Sequence, residues 1–282
     1  MAYFAIVLSA GLGPVIVGTA VARTIGAGIA DFHATGPLTL VAAIAGAVVA
    51  VGISYGAGVP TSLSVALFSS MVGALWVGPG LGAVHWAGIA KVGISMALSI
   101  VVGSFSGMVA YVLVVSLLVR LKRRAAQRVL SLQYVTVALL ALGYGSNDLE
   151  KTAGLLAAGI PSATFSVPLW TVAVAIIFFA AGMAIGGVRV AKTVGGKLFV
   201  IRPLHALAFQ LASASTVIGA ASLGGPLSTT ETSASAIVGV GAAQNPRALR
   251  WPVVRHIWLS WIATAPLALA AGALAGFVVK LF

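Results

Sequence analysis

The stretch that decides the fold runs from residue 144 to residue 154 and reads Tyr-Gly-Ser-Asn-Asp-Leu-Glu-Lys-Thr-Ala-Gly. It carries Asp148 and Glu150, two of the four acidic residues in the chain. Apolar runs long enough to cross a membrane lie on both sides of it. A carboxylate at membrane depth is costly unless it pairs with a cation, binds an ion or faces water. The stretch is therefore predicted to be a functional site inside a membrane protein.

The composition of the chain is that of a membrane protein. Of its 282 residues, 60% are hydrophobic and 7% are charged, and the mean hydropathy is +1.13. A soluble domain carries about a quarter charged residues. We therefore predict a polytopic membrane protein. The absence of cysteine excludes disulfides and thiol chemistry.

The formal net charge of +12 does not indicate nucleic-acid binding. The basic residues lie in loops between apolar runs, and the richest loop holds Arg120, Lys122, Arg123, Arg124 and Arg128. An excess of Lys and Arg marks the cytoplasmic side of a membrane protein. We therefore place this loop in the cytoplasm and predict the lipid bilayer, not a nucleic acid, as the partner.

The apolar runs predict an all-α protein with nine membrane spans. A barrel is excluded because barrel strands alternate polar and apolar residues, whereas these runs are continuously apolar. The predicted spans are 2–17, 38–56, 60–77, 86–118, 133–159, 166–186, 204–222, 226–243 and 257–279. The run 86–118 exceeds one ordinary crossing, so we expect it to tilt or to break near Gly103.

An internal repeat relates the two halves of the chain. The segment Val21–Gly26 recurs as Val190–Gly195, and a second set of residues recurs with nearly the same offset. This set pairs Pro60, Ser62, Gly73, Trp86 and Ser95 with Pro226, Ser228, Gly239, Trp251 and Ser260. The matched loops fall on opposite sides of the membrane in the charge-derived topology. This pattern is typical of an inverted-repeat transporter, whose discontinuous helices form a site near the midplane.

The repeat also divides the chain into a first repeat at 1–118, a basic cytoplasmic linker at 119–131 and a second repeat at 132–282. Two apolar runs precede Val190, and one of them carries Asn147 and Asp148. A single run precedes Val21. We therefore expect the first repeat to be incomplete at its amino-terminal end, with the counterpart of the Asn-Asp helix upstream of Met1.

The first candidate site lies at Gly143–Asp148. Its glycines predict an unwound backbone of the kind that forms transporter sites. The Asn147 amide and the Asp148 carboxylate are hard oxygen ligands suited to a sodium ion, and Asp148 could instead carry a proton. The alternative is that Asp148 forms a buried structural ion pair with Lys151, three residues on. A pair and an ion site can coexist.

The second candidate site lies at Gly224–Thr232, where a break precedes a helix start rich in hydroxyl groups. Ser228, Thr229 and Thr230 predict an oxyanion cradle at the positive end of a helix, although simple capping explains part of the pattern. Glu231 indicates more than capping, because a buried acid implies a proton, a cation or a lysine partner. Ser62 marks the matching break in the first repeat, where the later polar positions are replaced by Leu63 and Val65.

Enzyme, metal and cofactor chemistry are not predicted. No nucleophile is paired with a base, and the four histidines show no metal-ligand spacing.

The two candidate sites resemble the inorganic phosphate transporter (PiT) family. Residues 145–152, Gly-Ser-Asn-Asp-Leu-Glu-Lys-Thr, are similar to its Gly-x-Asn-Asp motif followed by Gln-Lys-Thr, with Glu150 in the Gln position. Residues 226–231, Pro-Leu-Ser-Thr-Thr-Glu, are similar to its Pro-Val-Ser-Thr-Thr-His motif, with Glu231 in the His position. The run 235–243 that follows is also similar.

The resemblance implies phosphate import coupled to sodium or protons, by alternating access. We expect a multi-pass protein of the cell inner (plasma) membrane that forms a homo-oligomer, a dimer. By position, Asn147 and Asp148 would serve ion and phosphate binding, and Ser228, Thr229 and Thr230 would hydrogen-bond the oxyanion together with Ser62. Lys151 would supply compensating positive charge, and Glu231 would join the ion-coupling groups.

Two alternatives stay open at this point. The substrate could be sulfate or another tetrahedral oxyanion carried by the same fold. The chain could also be a non-transporting subunit or a truncated remnant that needs a partner to supply the missing Asn-Asp helix.

Overall fold

The structure, a computed structural model, describes residues 2–58, 61–160, 165–195 and 201–281, and of residues 2, 33, 34 and 186–195 the backbone alone. The described residues form helices joined by loops, and the α-helices are α1 Ala2–Val17, α2 Ala20–Gly26, α3 Phe32–Thr35, α4 Pro37–Gly56, α5 Leu63–Val77, α6 Trp86–Val119, α7 Arg123–Ser131, α8 Gln133–Tyr144, α9 Glu150–Ala158, α10 Leu169–Gly195, α11 Pro203–Ser222, α12 Thr229–Gln244 and α13 Trp251–Lys280. A π turn, Gly145–Leu149, joins α8 to α9.

Five stretches of the described chain are long and apolar enough to cross a membrane, and they confirm the predicted all-α, polytopic fold. They are α4, α6, the run Arg123–Ala158 made of α7 to α9, α11 and α13. A sixth crossing results if α1 and α2, which meet at a bend of 83°, form one broken span. The predicted span 166–186 coincides with α10, whose apolar part Leu169–Ile185 is shorter than the others.

Two of the nine predicted spans, 60–77 and 226–243, correspond to helices that are shorter than an ordinary crossing. Helix α5 has 15 residues and α12 has 16. At 1.5 Å per residue they reach about 22–24 Å, less than the ~30 Å of a bilayer core. Each is interrupted at its amino-terminal end, before Ser62 and before Ser228. They are therefore the discontinuous helices that the repeat predicts, and we call α5 and α12 the half-helices.

Helix α6 does not break near Gly103, which leaves the tilt that was the other expectation, and the unwinding predicted at Gly143–Asp148 is absent. Helix α6 runs without interruption through Gly103. At 145–149 the backbone forms a π turn and does not unwind. The reason is packing: a Cβ at Gly145 would lie 1.7 Å from the carbonyl oxygen of Ala10, and one at Gly13 would lie 2.3 Å from the Ser146 nitrogen. The glycines let α1 lie directly against the π turn.

The helices of the two halves exchange partners. Helix α5 packs against α13, and α12 packs against α6. Helix α4 contacts both α5 and α13, just as α11 contacts both α12 and α6. Each half-helix therefore packs on the long helix of the other repeat. The predicted inversion of the two repeats across the membrane is not tested by these contacts and stays a prediction.

Equivalent glycines form the closest contacts in this exchange. A Cβ at Gly73 would lie 2.1 Å from the Leu269 carbonyl oxygen, and one at Gly239 would lie 1.9 Å from that of Ser104. Gly73 and Gly239 are a predicted repeat pair, and Leu269 and Ser104 are related by the offset that joins Trp251 to Trp86. One helical turn away, a second pair of equivalent close contacts joins Gly272 to Ser70 and Gly107 to Ala236.

Other members of the predicted repeat are only partly visible. Pro60 and Lys197 lie outside the described residues, and so do the side chains of Val190–Gly195. The predicted linker 119–131 contains α7, whose arginines are exposed.

Candidate functional site

The amino-terminal ends of α5 and α12 meet in the interior. Ser62 accepts a hydrogen bond from the Val65 nitrogen, and Ser228 accepts one from the Glu231 nitrogen, each over 3.3 Å. The two serine hydroxyls are themselves hydrogen-bonded, with 3.0 Å between their oxygens. Both serines are buried. The capping considered for the Ser228 segment is thus present and recurs at Ser62, and together the two caps bring two positive helix ends to one place.

The π turn presents Asn147 and Asp148 to the start of α12. Asn147 Nδ2 donates to the carbonyl oxygen of Leu227 over 2.7 Å. Asp148 Oδ2 accepts from the Thr229 hydroxyl over 2.8 Å. Among the described residues, Asn147 Oδ1 is buried without a hydrogen-bond partner. An unpaired amide oxygen at a buried site is unusual and is available to a bound cation or a proton donor.

Lys151 joins these elements to the first half of the chain. Its Nζ donates to Asp148 Oδ1 over 2.9 Å, to the Ser64 hydroxyl over 2.8 Å and to the Leu227 carbonyl over 2.6 Å. These bonds use all three ammonium donors. The ion pair considered in the sequence is therefore present, and it lies inside the cluster of polar groups and not apart from it. The Asp148 side chain is 28% exposed and that of Lys151 is 6% exposed, so the cluster is reached from the Asp148 side.

Glu231 lies in the first turn of α12, on the side that faces α6. Its Oε2 accepts from the Ser99 hydroxyl over 3.0 Å, and the residue is buried. The nearby cation, the Lys151 ammonium, pairs with Asp148. Glu231 is therefore held by hydroxyl groups and not by a salt bridge.

Most of the predicted site residues come together, and one does not. Ser62, Ser228, Thr229, Asn147, Asp148 and Lys151 form one hydrogen-bonded cluster, and Glu231 joins it through Ser228. Thr230 is exposed and takes part in none of the hydrogen bonds described for this cluster. Successive side chains on a helix point about 100° apart, so Thr230 lies on a different side of α12 from Thr229 and Glu231.

Reasoning from the sequence missed three participants, Ser64, Ser99 and the Leu227 carbonyl. Ser64 stands in the repeat motif two residues after Ser62, and its polarity there was the available signal. Nothing in the sequence distinguishes Ser99 from other serines of α6. The Leu227 carbonyl accepts two hydrogen bonds because the chain is not helical before Thr229, which leaves that oxygen free.

Glu150 has a separate role from its neighbours. Its Oε2 accepts from the backbone nitrogens of Val21 and Ala22 over 2.9 and 3.2 Å. It thereby satisfies the first amides of α2, and α2 packs on α9 through close contacts at Gly154 and Gly26. Thr24 of the same helix donates to the Gly224 carbonyl over 2.9 Å. Glu150 therefore positions α2 between α9 and the loop that leads into α12.

Half-helices that meet at a buried cluster of charged and hydroxyl groups define a multi-pass membrane protein with the architecture of a secondary transporter. No group of three or more His, Cys, Asp or Glu side chains that could hold a metal ion occurs among the described residues.

Comparison with known proteins identifies the family. The model of the family described as "Phosphate transporter family" (PHO4) matches residues 1–132 and 120–272. The chain is 33% identical over 270 residues to a probable low-affinity inorganic phosphate transporter of Rhizobium meliloti, covering 94% of this chain and 81% of that protein. It is 29% identical over 272 residues to the protein of the same description in Bacillus subtilis, covering 93% and 81%. The chain belongs to the phosphate transporter family, whose members are transporters and not enzymes.

A solved structure agrees with the fold. The structure described as "The sodium-dependent phosphate transporter" superposes with a TM-score of 0.84 and covers 99% of this chain and 90% of its own. At 22% sequence identity this likeness concerns the fold.

Proposed function

We propose that the protein imports inorganic phosphate together with a coupling cation, sodium or a proton, by alternating access. The observation that carries this proposal is the hydrogen-bonded cluster at the meeting point of α5, α12 and the π turn. It combines anion-binding elements with carboxylates, which a symporter needs in one place.

The anion-binding elements are the two helix ends and Lys151. Free amides and the helix dipole favour an anion at each amino terminus. The hydroxyls of Ser62, Ser228 and Thr229 can donate to phosphate oxygens when they exchange their present partners. The Lys151 ammonium supplies a full positive charge. These groups would hold the substrate.

The carboxylates explain why phosphate transport would be coupled to a cation. Asp148 is neutralised by Lys151, whereas Glu231 is held only by hydroxyl groups in the described part of the chain. A phosphate anion brought beside an ionised Glu231 adds negative charge at membrane depth, which is unfavourable. A sodium ion bound by Asn147 Oδ1 and carboxylate oxygens, or a proton on a carboxylate, offsets that charge. Substrate and cation therefore favour each other's binding.

Uptake of labelled phosphate by proteoliposomes tests the proposal. We expect counterflow with phosphate inside, and accumulation when a sodium or a proton gradient is imposed. Asp148→Asn should abolish accumulation, because the amide neither balances Lys151 nor binds a cation as strongly. Asp31→Asn, an acidic residue outside the cluster, is the matched control. No counterflow by the wild-type protein under any gradient would contradict the proposal.

Competition identifies the oxyanion. Phosphate changes its protonation state near neutral pH and sulfate does not, so inhibition by each anion is compared across that range. We expect phosphate to compete strongly and sulfate weakly. The reverse order would assign the site to sulfate.

Phosphate binding to purified protein with and without sodium separates binding from coupling. Sodium should strengthen phosphate binding if it is the coupling ion, and Asp148→Asn should remove that effect. Unchanged binding in the variant would exclude Asp148 from the site.

A further inference from the structure

The two repeats fill an equivalent space differently. In the first half, a cavity of about 300 Å³ lies between α5, α6 and α13. The equivalent space in the second half, between α12 and α13, has no room for a water-sized molecule. The residues that line the two spaces are equivalent positions of the repeat. They are related by the same differences in residue number that relate Ser62 to Ser228 and Trp86 to Trp251. Phe68, Val72, Ile89, Val92, Gly93 and Met96 correspond to Ala234, Val238, Val254, Ile257, Trp258 and Trp261.

Two of these substitutions explain the empty space. Trp258 and Trp261 place two indole rings in the second half, where the first half has Gly93 and Met96. A Cβ built at Gly93 would meet no atom within 4 Å, so nothing replaces the missing ring. Protein interiors are packed without voids of this size. The second half thus shows which kind of group the space accepts, namely apolar groups such as the two indole rings.

The cavity is continuous with the surface that faces the bilayer. Gly93 is exposed, and next to it on α6 lie Ile94, Leu98 and Val101, which are all exposed apolar side chains on a membrane-spanning helix. The cavity runs along α6 from Trp86 to Met96, about 15 Å at 1.5 Å per residue. Trp86 stands at the start of that helix, and tryptophans there are enriched at the membrane–water interface. The opening therefore leads from the interface into the hydrocarbon region.

The lining excludes the transported anion as the occupant. Apart from the Ser69 hydroxyl its named side chains are apolar or aromatic, and none is charged. An apolar cavity of this kind stays free of ordered water and takes apolar molecules. In a bilayer the neighbouring apolar molecule is a lipid.

We propose that this cavity binds one acyl chain of a membrane phospholipid, which takes the place that Trp258 and Trp261 occupy in the second half. The chain packs against Val65, Phe68 and Val72 of α5. The same helix begins at Ser62 and carries Ser64, which accepts a hydrogen bond from Lys151. The bound lipid thereby braces the half-helix that holds one side of the polar cluster. This inference concerns lipid binding and does not depend on which ion or anion is transported.

Photolabelling tests the proposal directly. The full-length protein is reconstituted in phosphatidylethanolamine–phosphatidylglycerol vesicles that contain a phosphatidylcholine with a diazirine on one acyl chain. We expect label on the peptide that contains residues 86–96 and on that of α5. Gly93→Trp, which restores the ring of the second half, should reduce that label several-fold. Gly52→Trp, at another exposed glycine whose Cβ would meet no atom within 4 Å, should leave it unchanged.

Thermal unfolding in detergent provides a second readout. Added phospholipid should raise the melting temperature of the wild type and of Gly52→Trp, and should raise that of Gly93→Trp much less. Met96→Trp repeats the test if Gly93→Trp does not fold. Equal labelling of residues 86–96 in wild type and in a folded filling variant would overturn the proposal. Crosslinks to a second copy of the chain at these residues, in place of lipid, would overturn it as well.

Discussion

The amino-terminal ends of α5 and α12 share their structure but not their chemistry. Each is capped by a serine that accepts a hydrogen bond from the residue three positions on, and each helix packs on the long helix of the other repeat. Only α12 has an acid in its first turn, Glu231, where α5 has Val65. The comparison shows that caps and glycine contacts maintain the helix packing in both halves. The charged groups of the polar cluster lie in the second half, and Lys151 connects them to the first half through its hydrogen bond to Ser64.

The largest effect on uptake and stability is expected when Lys151 is replaced. Lys151→Met leaves Asp148 without its cation and removes the hydrogen bonds to Ser64 and Leu227. Loss of one member of a largely buried pair costs about 3 kcal/mol. We expect loss of phosphate uptake and a clear fall in the melting temperature. Ser64→Ala, which keeps the ion pair, is the control and should cost about 1 kcal/mol. Equal losses in both variants would show that the ion pair contributes little.

The next largest effect concerns the glycine contacts. Gly73→Ala and Gly239→Ala each place a Cβ within about 2 Å of a carbonyl oxygen on the facing helix. The backbones must separate, which costs about 1–3 kcal/mol in each case. Thermal unfolding should show similar losses, because the two sites are equivalent. Gly52→Ala, where a Cβ meets nothing within 4 Å, should stabilise the protein slightly. A loss at only one of the two contacts would contradict their equivalence.

A smaller effect is expected at the capping serines. Their variants distinguish a role in stability from a role in transport. Ser62→Ala and Ser228→Ala should each lower the free energy of unfolding by about 1 kcal/mol. Because the two hydroxyls are bonded to each other, the double variant should lose less than the sum of the two. Uptake assays should show a greater loss for Ser228→Ala, whose helix carries Thr229 and Glu231. Equal uptake in the two single variants would argue for a symmetric substrate site.

The smallest effect is expected for Glu150→Gln. The amide oxygen can still accept from the Val21 and Ala22 nitrogens, so stability should change by less than about 1 kcal/mol. Glu150→Leu removes the acceptor and should cost about 1–3 kcal/mol, because the first amides of α2 lose their partner. Thermal unfolding of the two variants gives the comparison. A large loss in Glu150→Gln would mean that the charge itself matters.

Local sequence patterns predicted much of this site. Ser228 and Glu231 stand at cap spacing, and Asp148 and Lys151 stand at the spacing of a helical ion pair, so both interactions follow from positions along one helix. The repeat likewise predicted that the segments at Ser62 and Ser228 are equivalent, and the structure brings them into contact. These inferences needed no knowledge of long-range packing.

Contacts between distant segments could not be predicted in the same way. Glu150 bonds to residues more than a hundred positions earlier, and no pattern around Glu150 indicates that partner. The glycines near Asn147 were interpreted as flexible points, but their missing side chains allow α1 to lie close. The two short helices were counted as spans because hydropathy does not reveal where a helix starts. In each case tertiary packing decided the outcome.

The exchange of partners between the repeats has a consequence for biogenesis. Helix α5 completes its packing only against α13, which is the last helix of the described chain. The ribosome releases α13 long after α5 has entered the bilayer, so the first half cannot fold to completion as it is synthesised. Contacts between segments so far apart in sequence form slowly. Until α13 is inserted, the surface of α5 around Gly73 is available to lipid and to the quality-control machinery of the membrane.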